Sequence, residues 1–302
     1  MLAIIAPGQG SQTPGMFNSW IADPSLKALL VSWSEAIGLD LLRLGTTADA
    51  EEIKDTANAQ PLIVASSLLG AHALGLKNFA VTSGHSVGEL AAAALSGAIS
   101  ESDALMIVRA RGIEMAKAAA ASPSGMSAVL GGDRTEVLAA IAGLKLVAAN
   151  DNGAGQIVAA GDLQALATLN ENPPAGARIR ALAVAGAFHT QFMQTAVEPL
   201  RALATTVATH PVSIQVVSNK DGQVVTDGAE VLNRIVNQIA NPVRWDLCME
   251  TLKSLGVTGV IELPPAGTLV GLLKRAASEI ETFALKSAED LDAAREFAER
   301  HA

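Results

Sequence analysis

Tyrosine is absent from this chain, and all aromatic residues together make up 3% of it. Half of the residues are nonetheless hydrophobic, so alanine and valine must carry the apolar content. Ala-rich helices packed on Val/Ile strands suit an α/β protein. Cysteine occurs once, at Cys248, which excludes an intramolecular disulfide framework and fits a reducing, cytoplasmic compartment. That thiol lies in an expected helix with no special loop around it, so a buried structural role is favoured over a nucleophile. Positive charge is scarce: 21 Lys and Arg stand against 30 Asp and Glu, a net charge of −9. This argues against a general nucleic-acid binder and requires a local basic patch if an acidic protein is to dock. No apolar run reaches the ~20 residues of a membrane span. The first residues, Met1-Leu2-Ala3-Ile4-Ile5-Ala6, lack a basic flank and read as a strand, not a signal peptide. No internal repeat or low-complexity segment interrupts the 302 residues, which suffice for one large core plus an inserted subdomain.

What is present is led by Gly84-His85-Ser86-Val87-Gly88. The apolar run Phe79-Ala80-Val81-Thr82 precedes it, and an Ala-rich helix over 89–95 follows. A strand that turns sharply into a helix through Gly-x-Ser-x-Gly is a nucleophile elbow: small flanking residues let the turn hold the hydroxyl clear of both elements. The helix N-terminus, with free N–H groups and the positive end of its dipole, then lies under that hydroxyl. The N–H of Val87 is placed to stabilise an oxyanion. The context points to acyl transfer.

The first strand, over 2–6, runs into Pro7-Gly8-Gln9-Gly10-Ser11-Gln12, a glycine-rich loop without the Gly-Lys-Ser/Thr ending of a phosphate-binding loop. Helices are expected over 25–37 and over 60–74, the second opened by Pro61. From Gly125 the texture changes to strand 126–130, helix 133–142, strands 145–149 and 156–160, helix 163–170 and strand 178–184. This βαββαβ order is ferredoxin-like. The expected architecture is therefore α/β: a hydrolase-like core with a mostly parallel sheet, formed by 1–124 and 187–302, with a ferredoxin-like subdomain inserted over 125–186. The remainder reads as helix 191–208, strand 214–217, helices 230–239 and 246–255, and strand 257–263.

An activated serine needs a base, and five histidines are available. His72, His210 and His301 read as solvated or structural, and His85 adjoins the serine at a turn where neighbouring side chains diverge. His189 sits where the insertion rejoins the main domain, and such seams form clefts; it is the candidate base, with a core histidine as the alternative. Arg111 projects among Leu105, Ile107, Val108 and Met115 on the apolar side of a helix over 103–117. It must snorkel outward or meet an anion. The second option makes it a bidentate clamp for a substrate carboxylate. No acidic third triad member stands out: Asp162 and Glu171 fall inside the insertion, Asp246 and Glu262 after the histidine. A backbone carbonyl from Asn241-Pro242-Val243-Arg244-Trp245 could orient the imidazole instead.

With these residues in view the chain resembles, nearly end to end, the malonyl-CoA:acyl carrier protein transacylases. Pro7 to Gln12 looks like that family's N-terminal loop, Gly84-His85-Ser86-Val87-Gly88-Glu89 like its nucleophile motif, and Ala187-Phe188-His189 like its catalytic-histidine segment. Arg111 falls where the family binds the malonyl carboxylate, and the Asn241 to Trp245 segment resembles the one that orients the histidine. The resemblance implies Ser86 as nucleophile, His189 as base, the Gln9 and Val87 N–H groups as oxyanion donors, and Arg244 as the main-chain orienter. It implies malonyl-CoA and a phosphopantetheinylated acyl carrier protein as substrates, with no cofactor, no metal and a monomeric state. Phe188 and Val87 fit malonyl over methylmalonyl, a discrimination that packing alone supplies to the extent of ~1–3 kcal/mol. Asn150, Asn152 and Gln60 are weaker pantetheine or active-site candidates. Glu262-Leu263-Pro264-Pro265-Ala266-Gly267 departs from the family's Gly-Pro-Gly run and reads as loop variation away from the chemistry. A serine thioesterase or hydrolase, a non-catalytic scaffold, and the same transfer serving polyketide synthesis or malonate decarboxylation are the competing readings.

Overall fold

The short apolar segments become strands and sort into two sheets in a computed structural model that describes residues 1–76 and 78–302. In chain order the strands are β1 (Leu2–Ala6), β2 (Val81–Gly84), β3 (Ser124–Gly131), β4 (Val147–Asp151), β5 (Gln156–Asp162), β6 (Ala177–Ala181), β7 (Gln215–Val217), β8 (Val224–Val225), β9 (Val243–Arg244), β10 (Gly259–Glu262) and β11 (Glu281–Ala284). The larger sheet runs β11-β10-β1-β2-β7-β8 and is parallel except for the antiparallel pair β7/β8. Every residue of β1 is buried, as a parallel strand between two helical layers must be. This explains why its sequence shows an unbroken apolar run instead of alternation.

The second sheet runs β6-β3-β5-β4-β9. Its first four strands pair antiparallel and come from the inserted segment, with helices Arg134–Gly143 and Leu163–Glu171 between them, in the βαββαβ order read from the sequence. Val129, Val137, Ile141, Leu146, Ile157 and Leu169 give this layer a small core of its own. The fifth strand, β9, comes from the other part of the chain and pairs with β4 in register Asn150↔Val243 and Asp151↔Arg244. Two residues of ladder thus tie the inserted segment to the rest of the chain.

The structure departs from the sequence expectation at three elements. The helix expected from 60 begins at Thr56, where Asp55 caps it by accepting from the Ala57 N–H, and Pro61 lies inside it. A proline there leaves the carbonyl four residues back without its helical donor. That carbonyl, on Ala57, accepts from Arg109 Nη1 at 2.8 Å. The strand expected over 178–184 ends at Ala181, releasing Leu182 and Val184 to line a crevice. The helix expected over 191–208 is a single tight turn, Gln191–Met193, followed by a helix over Gln194–Ala204. Among the described residues no helix is long and apolar enough to cross a membrane.

Candidate active site

β2 ends at Gly84, and the chain turns into the helix Gly88–Leu95. At the apex Ser86 takes φ 54°, a left-handed conformation that a non-glycine residue adopts only where its surroundings hold it there. Three contacts do so. The Ser86 N–H donates to Asn219 Oδ1 at 2.8 Å, the His85 N–H to the Ala6 carbonyl at 2.9 Å, and the Gly88 N–H to the His85 carbonyl at 3.0 Å. The flanking glycines are steric necessities. A Cβ on Gly84 would lie 2.0 Å from the Gly88 carbonyl carbon, and one on Gly88 2.3 Å from the Ala6 oxygen.

The Ser86 hydroxyl lies 2.7 Å from His189 Nε2. His189 Nδ1 lies 2.8 Å from the Gln238 main-chain oxygen. A carbonyl only accepts, so Nδ1 carries the proton and Nε2 is left free to accept from the serine. The His189 main-chain N–H donates to the Ile239 carbonyl, fixing the residue's backbone on the same stretch of chain. Burial, and then the nearby Arg111 charge, pushes the His189 pKa down to about 3. The imidazole is therefore neutral at physiological pH, the form a general base requires.

Arg111 is 1% exposed and did not snorkel. Its Nη1 donates to Gln60 Oε1 at 2.6 Å and its Nη2 to Gln238 Oε1 at 3.1 Å, and Nη2 stands 3.5 Å from Ser86 Oγ. Its Nε is buried without a hydrogen-bond partner. Burial lowers its pKa to about 10, which leaves the guanidinium charged. The three side chains separated along the sequence thus converge on one oxygen atom.

The structure corrects the orienting role given to Arg244. That residue lies in β9, where its guanidinium binds Asp246 and its N–H donates to the Asn219 carbonyl. The imidazole is held from six residues earlier, at the end of the helix Gly228–Gln238. The acidic alternatives are also engaged elsewhere: Asp246 pairs with Arg244, and Glu262 accepts from the N–H groups of Gly267, Leu269 and Val270. The loop containing Glu262 is nearer the chemistry than its sequence suggested, because Thr268 and Leu269 just beyond it line the crevice. Three residues escaped sequence reasoning altogether as site members. Glu89, Asn219 and Gln238 form a buried polar cluster behind Ser86 and Arg111. A lone carboxylate in the Ala-rich run after the serine was the available signal for Glu89. Burial pushes its pKa up to about 8, while the Asn219 N–H and Arg111 pull the other way.

Ser86 and His189 open onto a cavity of about 260 Å³ between the sheets. Gln9, Gln60 and Phe188 line it from the larger sheet's side, and Met126, Asn152 and Val158 from the second sheet. The N–H groups of Gln9 and Val87 have no protein acceptor among the described residues. The Gln9 side chain is tied to Thr56 and Gln60. His85 reaches across to Asn152 Oδ1 at 2.8 Å and lies edge-on to Trp245, so it braces the elbow against the second sheet. The other histidines lie away from the cavity. His72 pairs with Glu101, His210 is exposed, and His301 is buried against Thr258. Cys248 is buried, with its pKa raised by burial, and donates to the Ser218 carbonyl.

Residues 4–296 match the sequence profile of the acyl transferase domain. The chain belongs to the acyl transferase family. Among curated acyl transferases, the malonyl CoA-acyl carrier protein transacylase of Mycobacterium tuberculosis is 52% identical over 297 residues, covering 97% of this chain and 98% of its own. The crystal structure of MCAT from Mycobacterium tuberculosis superposes with a TM-score of 0.95 at 51% identity, covering 98% of this chain and 99% of that one. A structure of a type II PKS acyl carrier protein in complex with its malonyl-transacylase matches at a TM-score of 0.91 and 28% identity, covering 98% of this chain and 99% of that one. The α/β architecture of this acyl transferase, with its larger parallel sheet and smaller second sheet, is that of the matched structures.

Proposed function

We infer that this acyl transferase moves a malonyl group from malonyl-CoA to the phosphopantetheine thiol of an acyl carrier protein, through a malonyl ester on Ser86, and so supplies fatty acid elongation. The observation that carries the reading is the 2.7 Å contact of Ser86 Oγ with a neutral His189, with the buried Arg111 guanidinium beside the same oxygen. His189 Nε2 takes the hydroxyl proton as Oγ attacks the thioester carbonyl. The Gln9 and Val87 N–H groups donate to the tetrahedral oxyanion, a contribution of about 3–4 kcal/mol per donor in comparable sites. Collapse expels the coenzyme A thiolate, which takes the proton from His189. The carrier's thiol then gives its proton to His189 and attacks the malonyl ester, and Ser86 leaves with the proton restored.

Arg111 holds the malonyl carboxylate during both halves. Its unpartnered Nε supports this role, since a buried guanidinium with spare donors gains most from an anion. Phe188, which lines the cavity, would crowd a branch on the carbon between the two carbonyls of the substrate. We assign the chemistry to residues 1–124 and 187–302, and to residues 125–186 the opposite wall, where Asn150, Asn152 and Gln156 face the path of the pantetheine arm. The sequence of steps uses only this chain's side chains and main-chain N–H groups, and a free, buried Cys248 accords with a cytoplasmic setting.

Mixing the protein with malonyl-CoA and no acceptor tests the reading. Retention of the acyl group until a phosphopantetheinylated carrier is added, followed by its transfer, is the expected result. Prompt release of free malonate without the carrier would make the protein a hydrolase.

A further inference from the structure

Behind the reacting oxygen lies a group that the transfer mechanism does not use. Glu89 is 3% exposed, on the first turn of the helix that follows Ser86. Its Oε1 accepts from the Asn219 N–H and its Oε2 from Gln238 Nε2, each at 2.6 Å. Asn219 in turn presents Oδ1 to the Ser86 N–H at 2.8 Å and donates Nδ2 to the Gly84 carbonyl at 2.8 Å. Gln238 presents its side-chain oxygen to Arg111 and its main-chain oxygen to His189. Two amide residues therefore join one carboxylate to the nucleophile, the base and the guanidinium.

We propose that Glu89 is a positioning residue for the transfer reaction, setting the polarity of the Gln238 amide and holding the main chain of Asn219 so that Ser86, His189 and Arg111 are aligned at once. The reason is directional. A primary amide can be turned end for end, and only its neighbours decide which end faces Arg111. A carboxylate accepts and never donates, so it draws Gln238 Nε2 toward itself and leaves Oε1 for the guanidinium. Reversed, Gln238 would point N–H groups at a buried cation. Both groups on the Glu89 oxygens are donors, so a proton on Glu89 finds no acceptor, and the relay is complete only in the ionised form.

The charged and titratable groups around Glu89 are Arg111, Arg234, Asp221, Cys248 and His189. Arg234 is paired with Asp221 and Glu230. His189 titrates near 3 and Arg111 near 10, while Cys248 is pushed up by burial. Of these buried groups only Glu89 changes charge around pH 8.

The proposal rests on the transferase reading, and the test separates the two. Ser86 is labelled with an uncharged fluorophosphonate and, separately, with malonyl-CoA, across pH 6 to 9, in the wild type and in Glu89→Gln. A glutamine at 89 has one acceptor for two donors. Labelling by both reagents is expected to slow on the order of 10-fold, the consequence of one unmet buried hydrogen bond. The malonyl reaction should lose more, because Arg111 is misaligned as well. The wild-type rate should also rise through the range in which Glu89 ionises, and the variant should lack that rise. Wild-type rates and an unchanged pH profile in Glu89→Gln would overturn the proposal. If Glu89→Gln does not accumulate as folded protein, Glu89→Asp keeps the charge but cannot span both partners. A loss of about threefold or more is expected there, and wild-type behaviour would overturn the proposal equally. A wild type that takes the fluorophosphonate but never malonyl would instead sink the transferase reading and leave the positioning role intact.

Discussion

Two short segments build this site by opposite means. The turn from Gly84 to Glu89 works through side chains and their absence: a hydroxyl at 86, and no Cβ at 84 or 88 because backbone already occupies that space. The segment from Gln238 to Arg244 works largely through main chain. The Gln238 and Ile239 carbonyls hold His189, and β9 extends the second sheet with a strand from the other part of the chain. A function that needs a particular side chain leaves a mark in the sequence, whereas a carbonyl can come from any residue. The comparison explains why the elbow could be located to the residue and the histidine's orienter was placed six residues too late.

Substitutions at the two segments sharpen that contrast. Ser86→Ala removes the nucleophile and is expected to lower transfer by a factor on the order of 10⁴ or more, the scale seen when a catalytic serine is lost. Loss of the covalent adduct by mass spectrometry is the direct check. Gly88→Val forces side-chain atoms into the Ala6 and Pro7 carbonyls. The elbow must then shift or the protein unfold, and thermal unfolding together with fluorophosphonate labelling should register both. Arg111→Ala should change preference more than chemistry. Malonyl transfer is expected to fall about 100-fold while acetyl transfer falls less, since a charge-assisted bidentate contact is lost only for the anionic substrate. Equal losses for the two donors would make Arg111 structural.

The main-chain segment should be more forgiving. Gln238→Ala keeps the carbonyl that orients His189 but removes the amide between Glu89 and Arg111, so a loss of about 10-fold is expected. Arg244→Ala touches only an ion pair with Asp246 and leaves the β9 main chain in place. Its effect on transfer should be within about twofold, because a partly exposed ion pair contributes little. A large loss at Arg244 with a small one at Gln238 would show that the ion pair, and not the amide between Glu89 and Arg111, supports the site.

The same distinction runs through the rest of the fold. The βαββαβ segment was legible because strand and helix periodicities alternate cleanly and its strands pair mainly with one another. Strand β9 was not, since two residues, Val243 and Arg244, carry no periodicity and are extended only because β4 lies beside them. The helix start at Thr56 was obscured by Pro61, whose disruption is offset by Arg109 from a neighbouring helix. Ser86 stood out through its Gly-x-Ser-x-Gly setting, His189 through its place at the seam where the insertion rejoins, and Arg111 as a charge on an apolar helix face. Gln238 and Asn219 did not, because a single amide at the end of an amphipathic helix or beside a turn is unremarkable until the fold surrounds it with charge.

The convergence of Ser86, His189 and Arg111 on one oxygen is tested most directly by proteolytic mapping of the protein after brief exposure to malonyl-CoA alone. One malonyl group is expected on the peptide containing Ser86, with none on the Ser86→Ala variant and little on Arg111→Ala. A malonyl group found on any other residue, or retained in full when Ser86 is alanine, would contradict the account.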